Sequence, residues 1–250
     1  MNEIDVSTMT KRFGSFVAVD HISVRVPKGS ICGFLGPNGA GKTTTIRMLC
    51  GLLAPTECIG TVSGLDVMKC SEDIKKRIGY MSQKFSMYPD LTVDENLDFW
   101  GSCYGVAGAR LRRRKEEIVE RLSLRDLRHV PASRLAGGAR QRCALACSIV
   151  HEPPILFLDE PTSGADPVSR RDFWGLVREL SDDGVTVLIT THYLEEAEYC
   201  RRIILISGGR VIAEGSPSEL KSAALAEMPG RTEVSLEEVF IYRTEGIYNR

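Results

Sequence analysis

This sequence predicts an α/β fold, and three observations carry the prediction. A glycine-rich loop falls between an apolar strand and an amphipathic helix. Two further apolar strands end in polar residues, Asp159-Glu160 and Thr191-His192. Open α/β sheets bind ligands at the C-terminal ends of their strands, so the three sites would share one sheet edge.

The loop is Gly36-Pro37-Asn38-Gly39-Ala40-Gly41-Lys42-Thr43-Thr44, a fit to G-x-x-x-x-G-K-[ST]. Before it, Ser30-Ile31-Cys32-Gly33-Phe34-Leu35 reads as a short buried strand. After it, Ile46, Leu49, Cys50 and Leu53 recur at helical spacing. Glycines let successive backbone N–H groups turn inward around phosphates. The helix N-terminus adds partial positive charge. In such a loop Lys42 reaches the β- and γ-phosphates, and the Thr43 hydroxyl ligates Mg²⁺.

At 250 residues the chain can bury a sizeable core, as one large domain or two small ones. A net charge of −1 gives no global field to recruit nucleic acid or an acidic membrane. No apolar run approaches the roughly 20 residues of a membrane span. Met1-Asn2-Glu3-Ile4-Asp5 lacks the basic and apolar regions of a signal peptide. The 8 cysteines include no C-x-x-C. Cys143 and Cys147 fall in an apolar helical pattern, as small core residues rather than metal ligands. Reduced thiols and no export signal point to the cytoplasm.

Taken in order, Ile22, Val24 and Val26 alternate with polar residues at strand period, and Pro27-Lys28-Gly29 turns the chain toward the loop strand. Phe13 lies upstream, either as a hairpin core residue or as a ring for a nucleobase to stack on. Gly51 to Asp66 is turn-rich and weakly strand-like. Ile78 to Met81 reads as a strand, with Ser82-Gln83-Lys84 after it. Thr92-x-x-Glu95 is a capping box opening a helix through about Tyr104. Arg110 to Leu124 is a second helix, whose basic run Arg110 to Lys115 reads as a solvated face with Arg112–Glu116 and Arg113–Glu117 pairs.

Leu135-Ala136-Gly137-Gly138 then leads into a helix to about Val150, and its start can hold an anion on free N–H groups. Ile155 to Leu158 is an apolar strand ending in Asp159-Glu160, where one acid can hold Mg²⁺ while the next polarises water. Val185 to Thr190 leads to His192. Ile203 to Ile206 and Val211 to Ala213 are late strands around a Gly208-Gly209 turn, and Ser235-x-x-Glu238 caps a C-terminal helix.

The ordered set resembles the ATP-binding subunit of an ABC transporter over nearly the whole chain, in the branch serving drug, ion and polymer exporters. Gly36 to Thr43 matches Walker A, Gln83 the Q-loop, Ile155 to Asp159 Walker B, and Glu160 the catalytic glutamate. Leu135 to Gly138 matches the signature, Ser163-Gly164-Ala165-Asp166 the D-loop, His192 the switch histidine, and Phe13 the aromatic A-loop position. The resemblance implies a P-loop NTPase core of ABC ATPase type over residues 1–220. It adds an antiparallel β-subdomain, a helical subdomain inserted at about 84–150, and a tail over 221–250. It implies ATP and Mg²⁺ as cofactors, with Thr43, Gln83 and Asp159 at the metal. Two such domains would pack head to tail around two ATPs. A separate transmembrane permease would dock beside Gln83, near Phe85, Tyr88 and Leu91, on the inner face of the membrane. No nucleic-acid partner is implied.

One departure bears on chemistry. The signature is usually L-S-G-G, and Ala136 replaces the serine that would bond the γ-phosphate across the dimer. A hydrogen bond to a charged group is worth about 1.5–3 kcal/mol, so closure would weaken roughly 10–100-fold. A second departure, Glu57-Cys58 after Pro55-Thr56, touches only a turn. Two rival readings follow: a weakly hydrolysing half of an asymmetric heterodimer, and a soluble non-transport ABC ATPase.

Overall fold

The computed structural model describes residues 2–83, 87–228 and 230–248. Strands β1 (Asn2–Phe13) and β2 (Phe16–Pro27) form a long antiparallel pair. Ile4, Val6 and Met9 face inward with Ile22, Val24 and Val26. The alternation read in the sequence is therefore the core face. Phe13 is not a hairpin core residue: half of it is exposed, and Lys11 Nζ stands 5.1 Å from its ring centroid. All five residues of β3 (Ile31–Leu35) are buried. Helix α1 (Lys42–Leu49) ends sooner than the apolar period through Leu53 suggests. Gly51 takes a left-handed φ of 69°, and its N–H and that of Leu52 close on the carbonyls of Met48 and Arg47.

Next come β4 (Glu57–Val62), β5 (Leu65–Asp66), helix α2 (Ser71–Arg77) and β6 (Ile78–Met81). The first four-stranded sheet has the order β2-β1-β4-β5 and is antiparallel throughout. Between β6 and the next strand lie α3 (Val93–Cys103), α4 (Gly108–Arg121) and α5 (Gly137–Ile149). Thr92 and Glu95 form the expected capping box on α3. Buried Asn96 donates to the carbonyls of Tyr88, Leu91 and Thr92, fixing the entry to that helix.

The basic run on α4 is not one solvated face. Lys115 is buried and its ammonium donates to Asp94 and Asp98 of α3. Arg113 meets Glu117 at 3.4 Å, as spaced, but Glu116 is taken by Arg128 instead of Arg112. Cys143 and Cys147 are buried free thiols on α5.

The chain continues through β7 (Ile155–Asp159), α6 (Pro167–Asp182), β8 (Thr186–Thr191), β9 (Arg202–Ser207), β10 (Arg210–Gly215), α7 (Pro217–Glu227) and α8 (Leu236–Tyr248). The second sheet has the order β10-β9-β3-β8-β7-β6, parallel except for the β9–β10 hairpin. Its inner strands β3, β7 and β9 are buried and largely apolar on both faces, as parallel strands covered on both sides must be. Leu156, Leu158, Val187, Ile189, Ile203 and Leu205 join the core under the helices. Phe157, Leu188, Ile204 and Ile206 join the core under α1 and the antiparallel sheet. Each such side chain contributes about 1.5–3 kcal/mol of burial. Helix α7 runs across the expected boundary at 220/221, with Leu220 and Ala224 buried. Ser235 caps α8, accepting from the Glu238 N–H. Among the described residues no helix is long and apolar enough to cross a membrane.

Candidate active site

Strand register assembles the site. Leu35 pairs with Thr191, Asp159 with Thr190, and Met81 with Leu158. The C-terminal ends of β3, β6, β7 and β8 therefore meet at one edge. From that edge emerge the loop 36–41, Gln83, Glu160 and His192. This is the shared edge that the sequence predicts.

The loop is braced from behind. Gly41 has φ 102°, and a Cβ there would stand 2.8 Å from the Ala18 carbonyl oxygen of β2. The Gly209 N–H donates to the Ala40 carbonyl at 3.1 Å, and the Asp20 N–H donates to the Gly209 carbonyl at 2.8 Å. The Gly208-Gly209 turn thus does more than reverse the chain; it ties the loop to β2.

Lys42 is buried, and its ammonium donates to the carbonyls of Gly36 (2.7 Å) and Pro37 (3.1 Å). It also lies 3.2 Å from Glu160 Oε1. Gln83 Nε2 donates to Glu160 Oε2 at 3.1 Å, and His192 Nδ1 lies 3.4 Å from the same oxygen. Glu160 is therefore the hub of three side chains from three separate segments. It is itself left-handed, with φ 50°, a conformation costing a non-glycine residue roughly 1 kcal/mol or more.

Asp159 Oδ1 accepts from the Thr43 hydroxyl at 3.1 Å and from the Thr190 hydroxyl at 2.8 Å. Burial raises the Asp159 pKa above the usual carboxylate value, and the two hydroxyls oppose that rise. Thr43 and Asp159 offer adjacent oxygen donors without sulfur or imidazole, the donor chemistry that suits Mg²⁺. Gln83 faces Glu160, and among the described residues it shares no hydrogen bond with that oxygen pair.

Thr190 is the residue that motif reading passes over. It is fully buried, its hydroxyl donates to Asp159, and it accepts from the Glu160 N–H at 2.9 Å. Its carbonyl accepts from the same N–H at 3.2 Å. One side chain so orients both acids. The only sequence signal is a threonine near the end of an otherwise apolar strand.

Ala136 is the N-cap of α5 and gives it no side-chain cap, and Leu135 before it is buried. Gly137 is open, whereas a Cβ on Gly138 would meet Ser169 Oγ at 2.6 Å. Ser169 in turn donates to Asp166 Oδ2, and Asp166 caps α6 by accepting from the Val168 and Ser169 N–H groups. Ser169 therefore lies between the signature and D-loop stretches, beside Gly138 and bonded to Asp166. Among the described residues neither Ala136 nor Asp166 shares a hydrogen bond or ion pair with the Glu160 cluster. Ser163 and Gly164 are exposed, with Ala165 half-buried beside them.

A groove of about 490 Å³ opens nearby, lined in part by Tyr80, Met81, Met87, Trp100, Tyr104 and Leu52. It lies to one side of the expected docking residues: Tyr88 and Leu91 are not in its wall, and Phe85 falls outside the described residues.

A family model described as ABC transporter matches residues 19–163. A daunorubicin/doxorubicin resistance ATP-binding protein of Streptomyces peucetius is 45% identical over 221 residues, 88% of this chain and 67% of that protein. The chain belongs to the ABC transporter family. A probable multidrug ABC transporter ATP-binding protein of Escherichia coli (strain K12) is 46% identical over 239 residues, 95% of this chain. The chain spans only 41% of that relative's length. Among solved ABC cassettes, a dimeric post-hydrolysis state bound to ADP and Pi superposes with a TM-score of 0.76 at 26% identity, covering 85% of this chain and 98% of that one. The P-loop NTPase fold and the ABC ATPase class are thus those of the family.

Proposed function

We propose that this chain binds and hydrolyses MgATP and so powers export by a separate transmembrane subunit. The observation that carries the reading is the convergence of Lys42, Gln83 and His192 on Glu160, beside the Thr43–Asp159 pair. Two relatives are named a probable multidrug ABC transporter ATP-binding protein and a daunorubicin/doxorubicin resistance ATP-binding protein, which favours export.

Phe13 offers an exposed ring for adenine, and the loop Gly36 to Thr44 wraps the phosphates. Lys42 exchanges its loop carbonyls for the β- and γ-phosphate oxygens. Thr43 and Asp159 would hold Mg²⁺, which supplies charge neutralisation at the transferred phosphate. Glu160 accepts a hydrogen bond from the attacking water and so orients it in line. His192 steadies the γ-phosphate and Gln83 reports its presence. A second domain supplies Leu135 to Gly138 and the D-loop in trans, as the dimeric likeness suggests. The groove lined by Met81, Met87 and Trp100 receives the permease, which holds the chain at the inner membrane face.

The test is Mg-dependent ATPase activity of the purified chain. The parent is expected to turn over ATP, and Glu160→Gln to lose at least roughly 100-fold in kcat with ATP binding retained. Equal turnover in both would sink the assignment of Glu160.

A further inference from the structure

Behind the His192 loop lies a charge pair, a buried carboxylate and a half-buried arginine, that the proposed chemistry leaves unused. Glu196, in the short 3-10 segment Leu194–Tyr199, is 1% exposed. Its Oε1 accepts from the hydroxyl of Thr162, also 1% exposed, at 2.6 Å. Arg170 of α6 brings its Nε to 3.4 Å from the same oxygen. The Arg170 guanidinium also stacks 4.2 Å from the Tyr193 ring centroid and reaches the Ala165 carbonyl at 3.4 Å. Tyr193 in turn lies against His192, ring centroids 4.1 Å apart.

Two chain segments with no sequence proximity are joined here. Thr162 and Ala165 belong to the stretch after Glu160, and Tyr193 and Glu196 to the stretch after His192. A solvated carboxylate would be worth little as a bridge. A buried one must be paired, because an isolated buried charge is strongly destabilising. The pairing is also incomplete: Arg170 Nε and Glu196 Oε2 are both buried without a hydrogen-bond partner. One is a donor and the other an acceptor on groups already in contact. A small rotation of the guanidinium would convert the single approach into the two-bond fork that arginine and carboxylate favour.

We propose that Glu196 and Arg170 form a latch that makes the His192 loop and the Thr162–Asp166 segment move as one body. They are positioning residues: they touch no reacting atom and act through His192 and the D-loop stretch. The proposal rests on the ATPase reading above. The latch tightens when the D-loop stretch shifts, and the shift reaches His192 through the Tyr193 ring.

The experiment compares the full chain with Glu196→Gln, Arg170→Gln, the double variant and Arg170→Lys. It measures kcat and KM for MgATP, and hydrogen exchange of peptides spanning 160–168 and 190–197. Misplacement of order 1 Å at a reacting centre can cost up to roughly 100-fold. Each single Gln variant is therefore expected to lose about tenfold in kcat with KM within about twofold. The double variant should be no worse than the poorer single one, and Arg170→Lys should recover part of the loss. Glu196→Gln should also speed exchange in the 160–168 peptide, which contains no substitution.

A merely structural role would give additive losses that track thermal stability, and exchange changes confined to the mutated segment; either result overturns the latch. If the parent neither binds nor hydrolyses ATP, the ATPase reading fails by itself. The exchange coupling between the two segments then decides the latch alone.

Discussion

At the scale of single residues, Thr190 concentrates the most consequence in the fewest atoms. Its hydroxyl aims the Asp159 carboxylate and holds the Glu160 N–H. Thr190→Val keeps shape and strand propensity while deleting the hydroxyl. Asp159 loses one of two donors, and the left-handed Glu160 loses one of two anchors. A net loss of about 1–3 kcal/mol follows for a buried hydrogen bond to a charged group. The expected outcome is roughly tenfold or more lower kcat and a raised Mg²⁺ requirement, with Thr190→Ser restoring most of both. Steady-state ATPase titrated with Mg²⁺ checks it. An unchanged Mg²⁺ requirement in Thr190→Val would show that Asp159 needs no such aiming. Motif spacing revealed Lys42, Asp159, Glu160 and His192 because each stands beside a turn with its own pattern. Thr190 and Glu196 escaped because their significance is a cross-strand register and a loop contact, and neither leaves a local signature.

At the scale of elements, legibility followed periodicity. The strands β2, β3, β7 and β9 announce themselves because burial on one or both faces repeats every second residue. The short α2 buries only Ile74, too little to give a period. Helix α6 carries a readable start in Asp166-Pro167 and a buried stripe of Phe173, Trp174, Val177 and Leu180. The burial of Lys115 is not legible in the sequence, for a different reason. Its neighbours on α4 are exposed cations, and only tertiary packing puts Asp94 and Asp98 over it.

A junction between elements also makes a pH prediction. His151 stacks on Tyr104 at the end of α3, 3.6 Å between ring centroids, and its Nε2 donates to the Ile78 carbonyl of β6 at 2.9 Å. Its Nδ1 is buried without a partner. Burial, aided by nearby Arg114 and against the pull of the Ile78 bond, lowers its pKa from 6.5 to about 4. The folded value lies below the unfolded one. The stabilising contribution is thus whole above the unfolded pKa and is lost as pH falls toward 4. Between about pH 7.5 and 5 this one group should remove on the order of 2 kcal/mol. Urea unfolding at both pH values tests it. Replacing His151 with Gln should flatten the difference by that amount, whatever it does to stability at neutral pH. The same pH difference in parent and variant would place the acid sensitivity elsewhere.

At the scale of the whole molecule, the strand-end cluster and the start of α5 share no hydrogen bond or ion pair among the described residues. The hydrolytic cluster gathers at the strand ends, while Ala136 and Gly137 stand exposed at the start of α5, on a helix anchored to α6 through Gly138 and Ser169. If the ATP site is composite, its second half comes from another domain, and activity must depend on how often two domains meet. Specific ATPase activity should then rise with chain concentration toward a plateau. Ala136 would then weaken the site that it completes in trans, not the one its own chain carries. In a symmetric pair both sites lack the serine hydroxyl, so Ala136→Ser should lower the concentration of half-maximal activity by roughly 10–100-fold for each of the two bonds restored. In an asymmetric pair only the partner's site would gain, and the purified chain alone would stay near its baseline with or without the serine. The informative measurement is therefore ATPase rate against chain concentration for parent and Ala136→Ser. A leftward shift at similar plateau establishes a self-pairing motor attenuated by its own signature. A concentration-independent rate, identical in the two proteins, would exclude the self-pairing motor and leave the asymmetric pair, in which a signature-intact subunit must supply the second half of the site.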